Sequence, residues 1–194
     1  MKVSIIKYNA GNIRSVDFAL KRLGVAAQIT DDPDTIRASD KVIFPGVGEA
    51  ANTMNYLKER GMDQLIASLT MPVLGICLGQ QLMCRWSEEG DTSCIGIFDQ
   101  PVLRFPSGEL KVPHMGWNSL DSVTGTLFDR NHPGEYVYFV HSYYVPVCDD
   151  SAAITGYMVP FSAALEKDNF FATQFHPEKS GEPGERILSK FLKL

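Results

Sequence analysis

Short apolar runs alternate with stretches of helical period through the first half of the chain. Val3–Ile6 reads as a strand, and Tyr8–Asn12 as the loop that follows it. Apolar positions Val16, Ala19, Leu20 and Leu23 fall on one face of a helix over Ser15–Leu23, and Gly24 supplies its stop signal. Ala26–Ile29 is a second strand. Asp31–Asp34 is a turn that opens a helix. Lys41–Phe44 is a third strand, ending in Pro45-Gly-Val-Gly48, and helices are predicted over Ala50–Arg60 and Gly61–Leu69. Pro72–Ile76 is wholly apolar, as a strand covered on both faces should be, and it leads into Cys77 and a helix reaching Trp86.

The second half changes character. Strands are predicted over Val102–Phe105, Ser119–Val123, Tyr136–Val140, Tyr143–Val147, Ala152–Tyr157, Ala163–Lys167 and Phe170–Gln174, with a closing helix over Glu185–Leu192. The predicted architecture is therefore α/β: a doubly wound, mostly parallel central sheet flanked by helices, with an antiparallel-rich extension in the second half. No linker, repeat or low-complexity tract divides residues 1–194, so a single domain is expected.

Bulk properties narrow the function. A chain of 194 residues can bury a sizeable core without metals or crosslinks. A net charge of −5 with interspersed signs argues against nucleic acid or an anionic membrane as a main partner. Met1–Lys7 has an apolar core too short for a signal peptide, and no apolar run approaches membrane-spanning length. Cys77, Cys84, Cys94 and Cys148 form no C-x-x-C pair and no metal-ligand spacing, which points to reduced thiols in the cytoplasm.

Cys77 stands apart from the other three. In Pro72-Val-Leu-Gly-Ile-Cys77-Leu-Gly-Gln-Gln81, a strand enters a turn with Gly75 and Gly79 two positions either side of the cysteine, and a helix follows. This is the cysteine counterpart of a nucleophile elbow. Glycines allow a sharp turn with close strand–helix packing, and the helix start favours a thiolate. The Leu78 N–H is the natural first oxyanion donor. A small buried hydrophobe at a strand end is the plain alternative for Cys77.

A thiol nucleophile needs a base. Among His114, His132, His141 and His176, only His176 has a carboxylate two residues on, at Glu178, with Pro177 stiffening the link. That carboxylate would orient the imidazole as in a Ser–His–Asp triad. Taken singly, His-x-Glu is also what a surface turn looks like. His114 and His132 are read as non-catalytic.

Strand–G-I-C-L-G-x-Q–helix, with F-H-P-E near the C-terminal end, resembles the class I, triad-type glutamine amidotransferases, a flavodoxin-like family. The resemblance implies Cys77 as nucleophile, His176 as general base and acid, and Glu178 as its orienting partner. It implies Gln81 as a grip on L-glutamine, and Pro45–Gly48 as an oxyanion loop supplying an N–H from Val47 or Gly48 beside that of Leu78. Tyr8–Asn12 with Ser15, Ser87–Gly90, Pro113–Asn118, Phe139–Tyr143 and Gln174–Gly181 further resemble one branch, the glutaminase subunits of imidazole glycerol phosphate synthase in histidine biosynthesis. In that branch Glu89 is expected to hold the substrate amino group, and Ser142 and Tyr143 its carboxylate end through the main chain. A solvated charge and a strand edge are the plain alternatives. Gln80 stands where the branch commonly has Met, so Gln81, four residues after Cys77, is taken as the substrate contact.

The reaction implied is hydrolysis of L-glutamine to glutamate, with ammonia passed to a separate barrel-fold cyclase subunit in a heterodimer. No metal, nucleotide or organic cofactor is expected. Tyr8, Asn12, Trp117 and Asn118 are the expected partner-interface residues, with a core Trp under a loop as the alternative for Trp117. Isolated activity should be low if the partner completes the oxyanion loop. A γ-glutamyl peptidase, a silent binding subunit, and an amidotransferase serving another aminating enzyme remain open at this stage.

Overall fold

In the computed structural model, residues 1–8, 12–108, 110–129 and 134–194 are described. The middle of the Tyr8–Asn12 loop and His132 lie outside them. The first half runs β1 (Val3–Ile6), α1 (Ile13–Arg22), β2 (Ala27–Thr30), α2 (Pro33–Arg37), β3 (Lys41–Gly46), α3 (Ala50–Glu59), α4 (Met62–Ala67), β4 (Val73–Cys77) and α5 (Leu78–Met83). Then come β5 (Cys84–Ser87), β6 (Thr92–Ser93), β7 (Phe98–Arg104), β8 (His114–Ser119), β9 (Ser122–Val123), β10 (Tyr136–His141), β11 (Tyr143–Tyr144), β12 (Ser151–Tyr157), β13 (Val159–Lys167) and β14 (Phe170–Thr173). A 3-10 turn (Pro177–Lys179) and α6 (Gly181–Lys193) close the chain.

Among the described residues the main sheet has the order β2-β1-β3-β4-β14-β13-β12-β9. The first five strands are mutually parallel, and β13, β12 and β9 continue it antiparallel. Alternation along each strand splits the apolar residues between two faces. Ile5, Ile43 and Leu74 join Val16, Leu20, Leu188 and Phe191 of α1 and α6 on one side. Ile6, Phe44 and Val73 join Met54, Leu57, Leu65, Ile66 and Leu82 of α3, α4 and α5 on the other. Full burial of residues such as Phe44 and Phe161 contributes roughly 1.5–3 kcal/mol each. The strand order reverses between β2-β1 and β3, so the loops after β1, β3, β4 and β14 gather at one carboxyl edge, where α/β sheets carry their sites.

Several boundaries differ from the sequence reading. The helix expected from Cys77 to Trp86 ends at Met83, because Cys84–Ser87 leaves it to form a parallel ladder with β7, Trp86 facing Pro101 and Ser87 facing Val102. The segment expected as a strand over Ser119–Val123 divides between β8 and β9. Pro113–Asn118, read as a loop, is largely strand, since β8 pairs with β10 from His114–His141 to Ser119–Tyr136. Tyr143–Val147 keeps only two residues of strand, and β13 begins at Val159 rather than Ala163.

Candidate active site

β4 delivers Cys77 to the carboxyl edge, between β3 and β14. Its backbone sits at φ 54°, ψ −106°, a strained conformation for a residue with a side chain, costing roughly 1–3 kcal/mol. The flanking glycines show why the turn holds. A Cβ on Gly79 would overlap the Phe44 carbonyl oxygen, and one on Gly75 would press on Met83 and the backbone of Gly79. The Cys77 side chain keeps a 7% exposed opening. Its Sγ lies 3.8 Å from the Val140 carbonyl, which accepts the thiol hydrogen.

His176 follows β14 and is held at both ends of its backbone: its N–H donates to Tyr138 O at 2.9 Å, and its carbonyl accepts from Ser180 Oγ at 2.6 Å. Pro177 opens the 3-10 turn and folds Glu178 back, so that Glu178 Oε1 accepts from His176 Nδ1 at 2.8 Å. That fixes Nδ1 as the protonated nitrogen in the neutral ring and leaves Nε2 buried without a hydrogen-bond partner. Burial alone would lower the His176 pKa; the Cys77 thiol and the Glu178 carboxylate outweigh it and raise the value to about 10. Cys77 is the larger of these two upward influences, with Glu178 next.

Two of the residues expected at a partner contact make hydrogen bonds within the chain. Asn12 Nδ2 donates to Glu178 Oε1 and lies 3.4 Å from His176 Nδ1. Tyr8 is 5% exposed; its hydroxyl donates to the Pro45 carbonyl beneath the Pro45–Gly48 loop, and burial holds its pKa well above the usual range. Both residues lie at the Cys77 end of the sheet, beside Pro45 and the His176–Glu178 pair. Trp117 lies outward, and Asn118 is half-buried. Trp117 is 55% exposed on β8, beside a second cavity of about 480 Å³, and Asn118 donates to Gly156 O at 3.0 Å.

A cavity of about 350 Å³ opens at Cys77, lined among others by Val47, Gly48, Leu78, Gln81, Glu89 and Tyr143. Ser142 also lines it. The structure thus brings together every residue expected in the oxyanion and substrate-binding sets. Gly48 has φ +132°, a conformation that favours glycine. Glu89 Oε2 accepts from Ala50 N at the head of α3, at 2.8 Å, and burial raises the Glu89 pKa despite that bond. Gln80 turns away and donates to Ser162 O at 3.3 Å, which leaves Gln81 as the glutamine of the cavity.

Three further residues belong to this neighbourhood. Gln174, fully buried, spans Gln81 and Cys77. His141 lines the cavity and donates from Nδ1 to Tyr143 O at 2.7 Å, while its Nε2 meets His114 Nδ1 at 3.0 Å. Burial lowers the His141 pKa to about 3 and that of His114 to about 4, so both rings are neutral near pH 7. Neither ring supplies a carboxylate-oriented base, which His176 alone of the described histidines has. The Gln174 contact had no local signal, because its partners are 93 and 97 residues away.

A sheet of this order with a cysteine elbow, a buried His–Glu pair and a cavity at the thiol has the arrangement of a cysteine-nucleophile site on an α/β scaffold. A family model described as "Glutamine amidotransferase class-I" matches residues 4–194, and the chain belongs to that family. It is 65% identical over 196 aligned positions, covering all of both chains, to "Imidazole glycerol phosphate synthase subunit HisH" of Bacteroides fragilis strain YCH46. It is 44% identical, again end to end, to the protein of that name in Yersinia pseudotuberculosis. Among solved structures, "Crystal structure of glutamine amidotransferase" superposes with a TM-score of 0.78 at 19% identity, covering 100% of this chain and 98% of that one, which shows the shared fold.

Proposed function

We propose that this chain is the glutaminase subunit of an imidazole glycerol phosphate synthase. The observation that carries the reading is 65% identity, along the whole length, with a relative of that name. The site geometry supports the chemistry. Cys77 Sγ attacks the side-chain amide carbon of L-glutamine, and the carbonyl electron pair moves onto oxygen. Leu78 N–H and an N–H of Val47 or Gly48 hold that oxyanion. His176 Nε2 takes the thiol proton and returns it to the leaving nitrogen, and the C–N bond breaks to release ammonia.

Water then attacks the thioester with His176 as base, the C–S bond breaks, and glutamate leaves. Glu178 keeps the ring oriented and stabilises the imidazolium. Gln81, Glu89 and the main chain of Ser142 and Tyr143 hold the substrate. Ammonia passes to a separate barrel-fold cyclase subunit of a cytoplasmic heterodimer, which makes imidazole glycerol phosphate and aminoimidazole carboxamide ribonucleotide. Trp117 and Asn118 are the proposed contact surface. Completion of the Pro45–Gly48 loop by the partner is proposed to raise the rate, one oxyanion donor being worth about 10²–10³.

The deciding experiment is glutamate release by the purified chain, alone and with the cyclase subunit and its ribonucleotide, for wild type and Cys77→Ala. Stimulation by the partner that vanishes in the variant is expected. Cys77-dependent release indifferent to the cyclase would move the protein to another aminating partner, and no Cys77-dependent release would overturn the reading.

A further inference from the structure

The Tyr143 carbonyl oxygen can only accept hydrogen bonds. Two donors converge on it, His141 Nδ1 at 2.7 Å and Gln81 Nε2 at 3.0 Å. This acceptor sets the direction of the groups beyond it. The Gln81 atom that meets the carbonyl must be its nitrogen. The second hydrogen of that nitrogen goes to Gln174 Oε1 at 2.9 Å. Gln174 therefore turns its own nitrogen outward, and Nε2 lies 3.7 Å from Cys77 Sγ. A polarity set at a backbone carbonyl thus arrives at the sulfur as an N–H donor.

We propose that Gln174 poises the Cys77 thiolate, its side-chain amide acting as a fixed hydrogen-bond donor to Sγ aimed by Gln81 and the Tyr143 carbonyl. The proposal deepens the glutaminase reading and rests on it for the role of Cys77 as nucleophile. The surroundings of the sulfur are complementary in its two states. The thiol hydrogen has the Val140 carbonyl as acceptor, and the thiolate has the Gln174 amide as donor. The titratable groups acting on the sulfur are His176 after β14 and Tyr8 after β1, with Glu178 behind His176 and His141 on β10 nearby.

Gln174 is 0% exposed, so water cannot take over the donation if it is lost. Its backbone N–H is pinned to Ala163 O at 2.8 Å, which holds the side chain in place. Gln174 does not line the cavity. Its direct contact is therefore with the sulfur, and it reaches the substrate side only through Gln81, whose Nε2 donates to its Oε1.

The test is alkylation of Cys77 by iodoacetamide across a pH series in the free full-length chain, followed on the Cys77 peptide by mass spectrometry. Wild type is compared with Gln174→Met and Gln174→Glu, each checked for folding by circular dichroism and thermal melting. Loss of one hydrogen bond to a charged group should raise the pH midpoint by about one unit in Gln174→Met. Gln174→Glu, which replaces the donor by a carboxylate, should raise it further. A residue that merely fills space would leave the Gln174→Met midpoint in place, and the midpoint in Gln174→Glu would then rise by the added charge alone.

In the cyclase complex, both variants should lose kcat, and Gln174→Glu, which keeps an acceptor for Gln81, should hold KM for glutamine within about twofold of wild type. An unchanged midpoint in either variant that folds would overturn the proposal, as would an effect confined to KM. Alkylation needs neither glutamine nor partner. A wild-type chain without Cys77-dependent glutamate release would therefore sink the glutaminase reading while leaving the midpoint comparison to judge Gln174 separately.

Discussion

Glu178 Oε1 lies 2.8 Å from His176 Nδ1, with both side chains sealed from solvent although the two residues are only two positions apart. Such proximity in sequence ordinarily gives a surface turn. Here Pro177 begins a 3-10 turn under α6, and the turn folds the carboxylate back onto the ring. The bond consumes Nδ1 and leaves Nε2 free for the proposed proton transfer with Cys77. Glu178→Gln keeps the shape but removes the charge that favours imidazolium. Glutamate release should fall by about 10²–10⁴, with KM changed far less. Retention of wild-type kcat in a folded variant would remove Glu178 from the mechanism.

The same pair makes stability depend on alkaline pH. The folded-state pKa of His176 is raised to about 10, against about 6.5 in an unfolded chain. Its stabilising contribution is therefore complete below about pH 6.5 and is lost as pH rises toward 10. Urea midpoints followed over that window should fall more steeply for wild type than for Glu178→Gln. Parallel slopes would show that Glu178 contributes nothing to the raised His176 value, leaving it to Cys77.

His114 and His141 run the other way. Burial lowers their values to about 4 and about 3, so the unfolded chain binds more protons than the folded one below about pH 6.5. Stability from keeping them neutral is present above that pH and is lost as pH falls toward 3. His114→Phe preserves stacking on Tyr157 and Phe139 but removes one of the two protonation sites. Its melting temperature should be less sensitive to acid than that of wild type, and equal sensitivity would place the acid response elsewhere.

Gly79→Ala tests the elbow by sterics alone. The added methyl would meet the Phe44 carbonyl, a backbone atom that can yield only by moving β3 away from the helix. A loss of about 1–3 kcal/mol in urea unfolding is expected, with activity falling because Cys77 and Leu78 shift together. Wild-type stability in this variant would mean that strand and helix have slack which the structure does not show.

Trp117 tests the partner face. At 55% exposure on β8, beside Met115 at 64%, it contributes little to the free fold. Trp117→Ala should change unfolding free energy by no more than about 0.5 kcal/mol. Association with the cyclase subunit, measured by calorimetry, should weaken by about 2 kcal/mol. Unchanged affinity would move the interface off this strand.

What could be read directly from the chain was whatever short-range pattern controls. The central parallel strands β3 and β4 announce themselves by apolar runs, since a strand buried on both faces has no polar side. The elbow around Cys77 is likewise local: Gly75, Gly79 and the cysteine determine one another through backbone sterics within a single turn. His176-Pro177-Glu178 is legible for the same reason. Its meaning, however, depended on what the run after Phe170 pairs with.

The tertiary structure decided the rest. Cys84–Ser87 continues a helical pattern in composition, but a ladder to β7, supplied by residues beyond Ile97, draws it into a strand. Pro113–Asn118 has the Gly and Pro of a loop, yet pairing with β10 makes most of it strand and leaves Trp117 on an open face. Tyr8 and Asn12 meet Pro45 and Glu178, 37 and 166 residues away, contacts that no local pattern could show. Gln174 reaches Cys77 only because β14 lies next to β4. Local sequence sets what each segment can form at low cost; which segments meet is settled by burial and by pairing buried polar groups, and both require the whole chain.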